Sequence, residues 1–180
     1  MVYPQIIDKY YAPGSRLREV LVSHSRQVAD LALEIMRNKR LPLDAALVED
    51  AAMLHDIGIL RTDAPGIECR GSEPYIRHGI VGAEILRNEG VADEIVRVAM
   101  SHTGTGLTPS DIADRGLPLP PGDYMPHTTL ERLICYADKF YSKSRGEKRK
   151  TLQQVRATMA RLGEQTLARF EELHREFGQE

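Results

Sequence analysis

The chain has 180 residues, 42% of them hydrophobic and 28% charged, with a formal net charge of −2 and a pI near 6.3. Those values fit one soluble globular domain and exclude the basic excess of a protein that coats nucleic acid. No apolar run is long enough for a membrane span, the start lacks a secretory pattern, and Cys69 and Cys135 form neither a CxxC pair nor a disulfide framework, so the expected setting is the cytoplasm with both thiols reduced.

Leu17, Val20, Leu21, Val28, Leu31, Ala32 and Ile35 recur at three- and four-residue steps, which predicts a helix over about 15–39 with Ser15 as its N-cap. Pro42 opens a second helix, expected to run to about Ile57 and to stop at Gly58. Further helices are expected over about 75–88, 91–102, 128–142 (capped by Thr128 or Thr129) and 147–177. In the last, Leu152, Val155, Met159, Leu162, Leu167, Phe170, Leu173 and Phe177 share a face, interrupted by Gly163 at about 1 kcal/mol relative to Ala. Its near-heptad spacing would suit a homodimer, although packing onto the chain's own bundle is the commoner use. The expectation is an all-α bundle of about six main helices in a single domain, 1–180, without a recognisable strand pattern. Cys135 reads as core and Cys69 as a loop residue. Two connections are long, 59–74 and 103–126, and the second carries five prolines and four glycines. Connections beyond about 12–15 residues in a compact domain are usually functional or disordered. Thr108-Pro109 starts a short helix inside the second one.

Histidines fall in the apolar stripes. His24 lies in the stripe of the first helix, His55 continues that of the second with Val48, Ala51 and Ala52, His78 heads the third, and His102 ends the fourth after Ile95, Val98 and Ala99. Asp138 interrupts the stripe of the fifth. Burying these imidazoles together with the carboxylates of Asp56 and Asp138 without a common partner would cost at least several kcal/mol. A bound cation removes that cost for all six at once, and helical bundles build metal sites from inward-facing side chains in this way.

His24, then His55-Asp56-Ile57-Gly58, then Asp138 resembles the signature of the HD-domain superfamily in its HDIG form, over roughly residues 15–142. The resemblance implies an all-helical, metal-dependent phosphohydrolase. It further implies one metal on His24, His55, Asp56 and Asp138, and a second on His78, His102 and a bridging Asp56. Ile59 follows where many HDIG members carry Lys, and the Gly-Tyr-Pro signature of the cyclic-dinucleotide phosphodiesterase branch is absent. Four imidazoles and two carboxylates suit transition metals, Fe or Mn first, then Zn, Co or Ni, better than Mg or Ca. Two such ions activate a bridging water as hydroxide and neutralise phosphoryl oxygens.

A phosphate ester also needs positive charge. Lys139–Lys150 holds six basic residues in twelve, of which Lys139 and Lys143 stand nearest the ligand Asp138 in sequence. On this reading Asp56 and Lys139 serve catalysis, and Arg26, Arg77, Tyr124, His127 and Lys143 are substrate contacts. The 103–126 segment is expected to wall or cover the pocket, with Tyr124 stacking on a base. The expected partner is a nucleotide or another small phosphate ester, cleaved as a mono- or diester. Alternatives are an HD-type di-iron oxygenase of a small alcohol or phosphonate, and a non-catalytic ligand-binding module. His174 reads as structural or exposed.

Overall fold

A computed structural model of the chain describes residues 1–143 and 148–178. Its first helix, α1 (Tyr3–Tyr10), has no counterpart in the periodicity. The Asp50 carboxylate caps it, accepting from the Val2 and Tyr3 N–H groups at 2.8 and 3.1 Å. A cap supplied 47 residues away leaves no local signal. Ile6, Ile7 and Tyr11 anchor this segment in the core, and the Tyr11 hydroxyl donates to the Ile57 carbonyl at 2.8 Å.

Ser15 caps α2 (Arg16–Lys39) as expected, and the helix buries the stripe that contains His24. α3 is Ala45–Leu54, shorter than expected at both ends. Asp44 starts it instead of Pro42, accepting from the Leu47 N–H at 2.8 Å. A 3₁₀ turn, Ile57–Arg61, follows the His55-Asp56 pair. Gly58 lies inside that turn and does not cap α3. It is pressed against α4 (His78–Asn88), where an added Cβ would lie 2.2 Å from the His78 carbonyl oxygen and 2.3 Å from the Gly82 nitrogen. Close backbone approach, and not a left-handed helix end, is what requires glycine there.

The connection after this turn holds a small sheet that the sequence did not show. β1 (Thr62–Ala64) pairs antiparallel with β2 (Cys69–Arg70), placing Asp63 opposite Arg70. It pairs in parallel with β3 (Glu73–Pro74), placing Thr62 opposite Glu73. Strands this short give no readable alternation. Cys69, expected in a loop, is fully buried on β2.

The remaining helices are α5 (Asp93–Ser101), α6 (Pro109–Asp114), α7 (Thr129–Asp138), α8 (Leu152–Leu162) and α9 (Glu164–Phe177). Thr108 and Asp111 close a capping box at α6, and Thr128 caps α7 through the Glu131 N–H. The single long helix expected over 147–177 is a hairpin. Gly163, at φ 128° and ψ 157°, occupies a region that only glycine enters readily. Arg156 and Glu171 form two hydrogen bonds at 2.7 and 2.8 Å, whereas in a continuous helix such positions would be roughly 22 Å apart. Most of the apolar stripe is therefore spent inside the molecule, with Val155, Met159, Phe170, Leu173 and Phe177 buried.

α2 packs on α3 and α7, and α5 on α3, α4 and α7. This brings the ends of α3, α5 and α7 and the start of α4 to one place. Among the described residues no helix is long and apolar enough to cross a membrane.

Candidate metal centre

The six polar side chains expected in the core meet at those helix ends. His24 comes from the middle of α2, His55 and Asp56 from the exit of α3, His78 from the first position of α4, His102 from the exit of α5, and Asp138 from the last position of α7. Two groups of donor atoms result, each within 4.8 Å: His24, His55, Asp56 and Asp138, and Asp56, His78 and His102.

Asp56 belongs to both groups through different oxygens. Its Oδ2 is 3.2 Å from His24 Nε2 and 3.0 Å from His55 Nε2. Its Oδ1 is 3.5 Å from His78 Nε2 and 3.4 Å from His102 Nε2. On the first side, Asp138 Oδ1 lies 2.9 Å from His24 Nε2 and 3.5 Å from His55 Nε2.

Backbone carbonyls orient three of the rings. His55 Nδ1 donates to the Ala52 carbonyl at 2.6 Å, His78 Nδ1 to that of Tyr75 at 2.7 Å, and His102 Nδ1 to that of Ala99 at 2.8 Å. A carbonyl only accepts, so each Nδ1 carries the hydrogen, and a neutral ring then presents a bare Nε2 to the centre. His78 Nε2 and His102 Nε2 face each other at 3.0 Å. Two lone pairs at that distance repel, and a cation held between them would remove the repulsion. The Nε2 of His55 and both Asp56 oxygens are fully buried without a well-aligned hydrogen bond. The donor set therefore fits divalent metal on both sides of Asp56.

The charged groups of the centre also shift one another. Burial alone would push the Asp56 carboxyl up, but the charges of His55 and Lys143 outweigh it and hold Asp56 well below the usual carboxylate range. Asp138 is likewise held low against burial, by the Lys139 ammonium and by the neighbouring His24 and His55 rings. His55 is raised to about 9 despite burial, because both carboxylates face it. Burial, assisted by the neighbouring His102, pushes His78 down to about 3, so that ring is neutral.

Two lysines reach the centre. Lys139 is buried, its ammonium 2.7 Å from Asp138 Oδ2 and donating to the His102 carbonyl at 2.9 Å. It fixes the second oxygen of Asp138 and the backbone of His102, and so braces two of the candidate donors from behind. The Lys143 ammonium is 2.6 Å from Asp56 Oδ2 and lies over the Tyr75 ring, 5.9 Å from its centroid.

The other sequence-predicted contacts are placed elsewhere. Arg26 bonds Glu49 and the Tyr3 hydroxyl at 2.8 and 2.9 Å. Arg77 pairs with Glu73 at 2.7 Å and donates to the Pro118 carbonyl. Tyr124 packs with Leu107 and Ile112 in a satellite cluster, its hydroxyl on the Pro120 carbonyl. His127 is exposed and pairs with Asp123 at 2.7 Å. His174 meets the Tyr136 hydroxyl at 2.8 Å and has a structural place. Arg145, from the basic stretch, lies outside the described residues.

Two cavities flank the ligands. One, of about 410 Å³ and polar, opens beside His24 between Arg16, Gln27 and Lys143. The other, of about 460 Å³, opens beside Asp138 and is lined by Ile67, Tyr75, Tyr141, Lys143, Met159 and Leu162 among others. From the 103–126 segment only Gly104 lines it, so the expected wall is built by the 64–67 turn and α8 instead. Sequence reasoning missed Ile67, Tyr75 and Tyr141, which carry no motif, and took Met159 and Leu162 for ordinary stripe positions.

A family model of the HD domain matches residues 21–142. The chain belongs to the HD-domain family. A tRNA (cytidine(56)-2'-O)-methyltransferase of Thermoplasma volcanium is 35% identical over 94% of this chain, which spans 44% of that protein. An uncharacterised protein of Methanocaldococcus jannaschii is 38% identical over 67% of the chain and 65% of its own length. The chain thus spans less than two thirds of each of these relatives. The HD domain of the L. monocytogenes phosphodiesterase PgpH superimposes with a TM-score of 0.54 over 96% of this chain and 94% of its own, at 19% identity. That domain has also been solved in complex with cyclic-di-AMP. The likeness places this HD chain in the same fold.

Proposed function

We propose that this HD centre is a metal-dependent phosphohydrolase site acting on a nucleotide or another small phosphate ester. The observation that carries the reading is Asp56, fully buried, with one oxygen turned to each of two donor groups. Two groups sharing one carboxylate are the arrangement that holds paired ions at the separation suited to an in-line displacement at phosphorus. When bound, such ions lower the pKa of water and neutralise phosphoryl oxygens, which supplies the nucleophile and the charge compensation that hydrolysis needs.

The chain's own residues perform the rest. The three backbone-oriented histidines and Asp138, steered by Lys139, present a preorganised set of donors. Lys143, which lines both cavities, is the cation assigned here to a phosphate oxygen. Burial of the donors excludes bulk water and strengthens each of these interactions. The solved phosphodiesterase domain of the same fold supports the reading. The methyltransferase name belongs to a protein more than twice as long as the stretch shared with this chain and adds no methyl-transfer assignment.

Anaerobic purification with metal analysis, followed by a panel of phosphate esters, tests the proposal. Close to two transition metals per chain are expected, Fe or Mn foremost. His78→Ala or His102→Ala should remove about one, and Asp56→Ala should abolish phosphate release. Full stoichiometry in both histidine variants would overturn the two-metal assignment. Oxygen consumption driven by a small alcohol or phosphonate, without anaerobic phosphate release, would replace the hydrolase by an oxygenase.

A further inference from the structure

The cavity beside Asp138 is completed by residues beyond the HD family match. That match ends at residue 142, whereas Lys150, Met159 and Leu162 all line the cavity. Two of them belong to α8, the first arm of the C-terminal hairpin. The donor groups and Lys143 come from the rest of the chain, so this hairpin adds a wall to a site that others build.

The wall has a definite chemistry. Leu162 is 45% exposed, and among the described residues the other large hydrophobic side chains so exposed are Met1 and Val2 at the start of the chain. One exposed leucine is ordinary by itself. This one lines the same cavity as the buried Met159 and as Ile67, Tyr75 and Tyr141. Tyr75 is held in place by stacking on His78, with ring centroids 4.7 Å apart and planes 22° from parallel. Two cations share that lining: Lys143, and the half-buried Lys150, which donates to the Lys139 and Tyr141 carbonyls at 3.4 and 3.3 Å. The cavity therefore joins cations to an apolar and aromatic surface. Its volume of about 460 Å³ falls in the usual range for a small organic ligand.

We propose that α8 is the specificity element of the centre: Met159 and Leu162, with Tyr75 and Tyr141, bind the base of a nucleoside phosphate, and Lys150 holds its phosphate side. A sugar phosphate without a base would leave the apolar wall uncovered. This rests on the phosphohydrolase reading only for the direction in which the phosphate points.

The test is equilibrium binding of adenosine 5′-monophosphate, ribose 5-phosphate and inorganic phosphate to the full chain as purified, by isothermal titration calorimetry. The base should strengthen binding by about tenfold or more over ribose 5-phosphate, the scale of a base stacked on aromatic side chains. Leu162→Gln, at an exposed position and without new charge, should bring that ratio toward one. Lys150→Gln should weaken all three ligands together. Equal affinity of the two sugar phosphates for the unsubstituted chain, or an unchanged ratio in Leu162→Gln, would overturn the proposal. Base preference that depends on Leu162, with no ester hydrolysed, would leave the base pocket standing and remove the phosphohydrolase. Hydrolysis without base preference would do the reverse.

Discussion

Gly58→Ala puts one methyl group between the turn that carries the HD pair and the helix that carries His78. The added Cβ would stand 2.2 Å from the His78 carbonyl oxygen, 2.3 Å from the Gly82 nitrogen and 2.9 Å from the Gly82 Cα. All three are backbone atoms, so no side chain can swing aside. Restoring ordinary contact, above about 3 Å, requires the turn and α4 to separate by nearly 1 Å. Overpacking of this kind costs about 1–3 kcal/mol, and for a chain of this size each kcal/mol lowers the melting temperature by about 2–4 °C. The same displacement lengthens the 3.5 Å approach of His78 Nε2 to Asp56 Oδ1 and so opens the second donor group. Thermal denaturation and metal analysis together check both consequences: Gly58→Ala should melt several degrees lower and hold about one metal fewer than the unsubstituted chain. Gly66→Ala is the control, because a Cβ there meets nothing within 4 Å. An unchanged melting temperature and full metal content in Gly58→Ala would refute the claim that backbone contact at Gly58 sets the geometry of the centre.

Three further outcomes follow from the packing and electrostatics. Lys139→Met removes the cation that steers Asp138, and should weaken metal binding at the first donor group by about 10–100-fold in a chelator competition. A change in Michaelis constant with metal affinity intact would instead mean that Lys139 touches substrate. Metal uptake should release protons unequally: His55, held at about 9, must give up a proton to ligate at neutral pH, whereas His78, held at about 3, has none to lose. His78→Ala, which isolates the first group, should therefore release about one proton from His55 per ion at pH 7.5, read by calorimetry in buffers of different ionisation enthalpy. Its apparent affinity should climb with pH until about pH 9 and then level off, and a flat profile would contradict the assignment. Gly163→Ala separates two readings by sign: it should cost about 1–3 kcal/mol if the position turns a hairpin and would gain about 1 kcal/mol in an uninterrupted helix.

Much of the centre was legible because burial is costly for a polar group. An imidazole in an apolar stripe demands a partner, and His24 at a stripe position of α2 announced one without reference to any fold. The two-sided role of Asp56 was not readable from periodicity. The residue lies between α3 and the 3₁₀ turn with φ −103° and ψ 11°, outside any regular repeat, so no helical wheel tells where its oxygens point. The hairpin at Gly163 failed for a related reason. Apolar spacing is the same whether a stripe runs straight or doubles back, and only the glycine's conformation decides it.

The candidate substrate contacts stand unequally in the fold: Lys143 reaches the centre and Arg26 does not. Arg26 is close to His24 in sequence, but two steps along a helix turn a side chain by about 200°, and it points to Glu49 and Tyr3. Lys143 lies past the end of α7, where the chain is free of that rotation, and a flexible four-carbon stem lets its ammonium reach Asp56. The same freedom governs the candidate ligands. Of the six, only His24 sits within a helix, and the others stand at helix ends or in the turn after α3. A helix interior fixes direction at 100° per residue, so several helices cannot all aim there at one point, whereas their ends can converge on one. The HD pair at the exit of α3 is the clearest instance: neighbours that would diverge within a helix both face the centre because the helix has already stopped at Leu54.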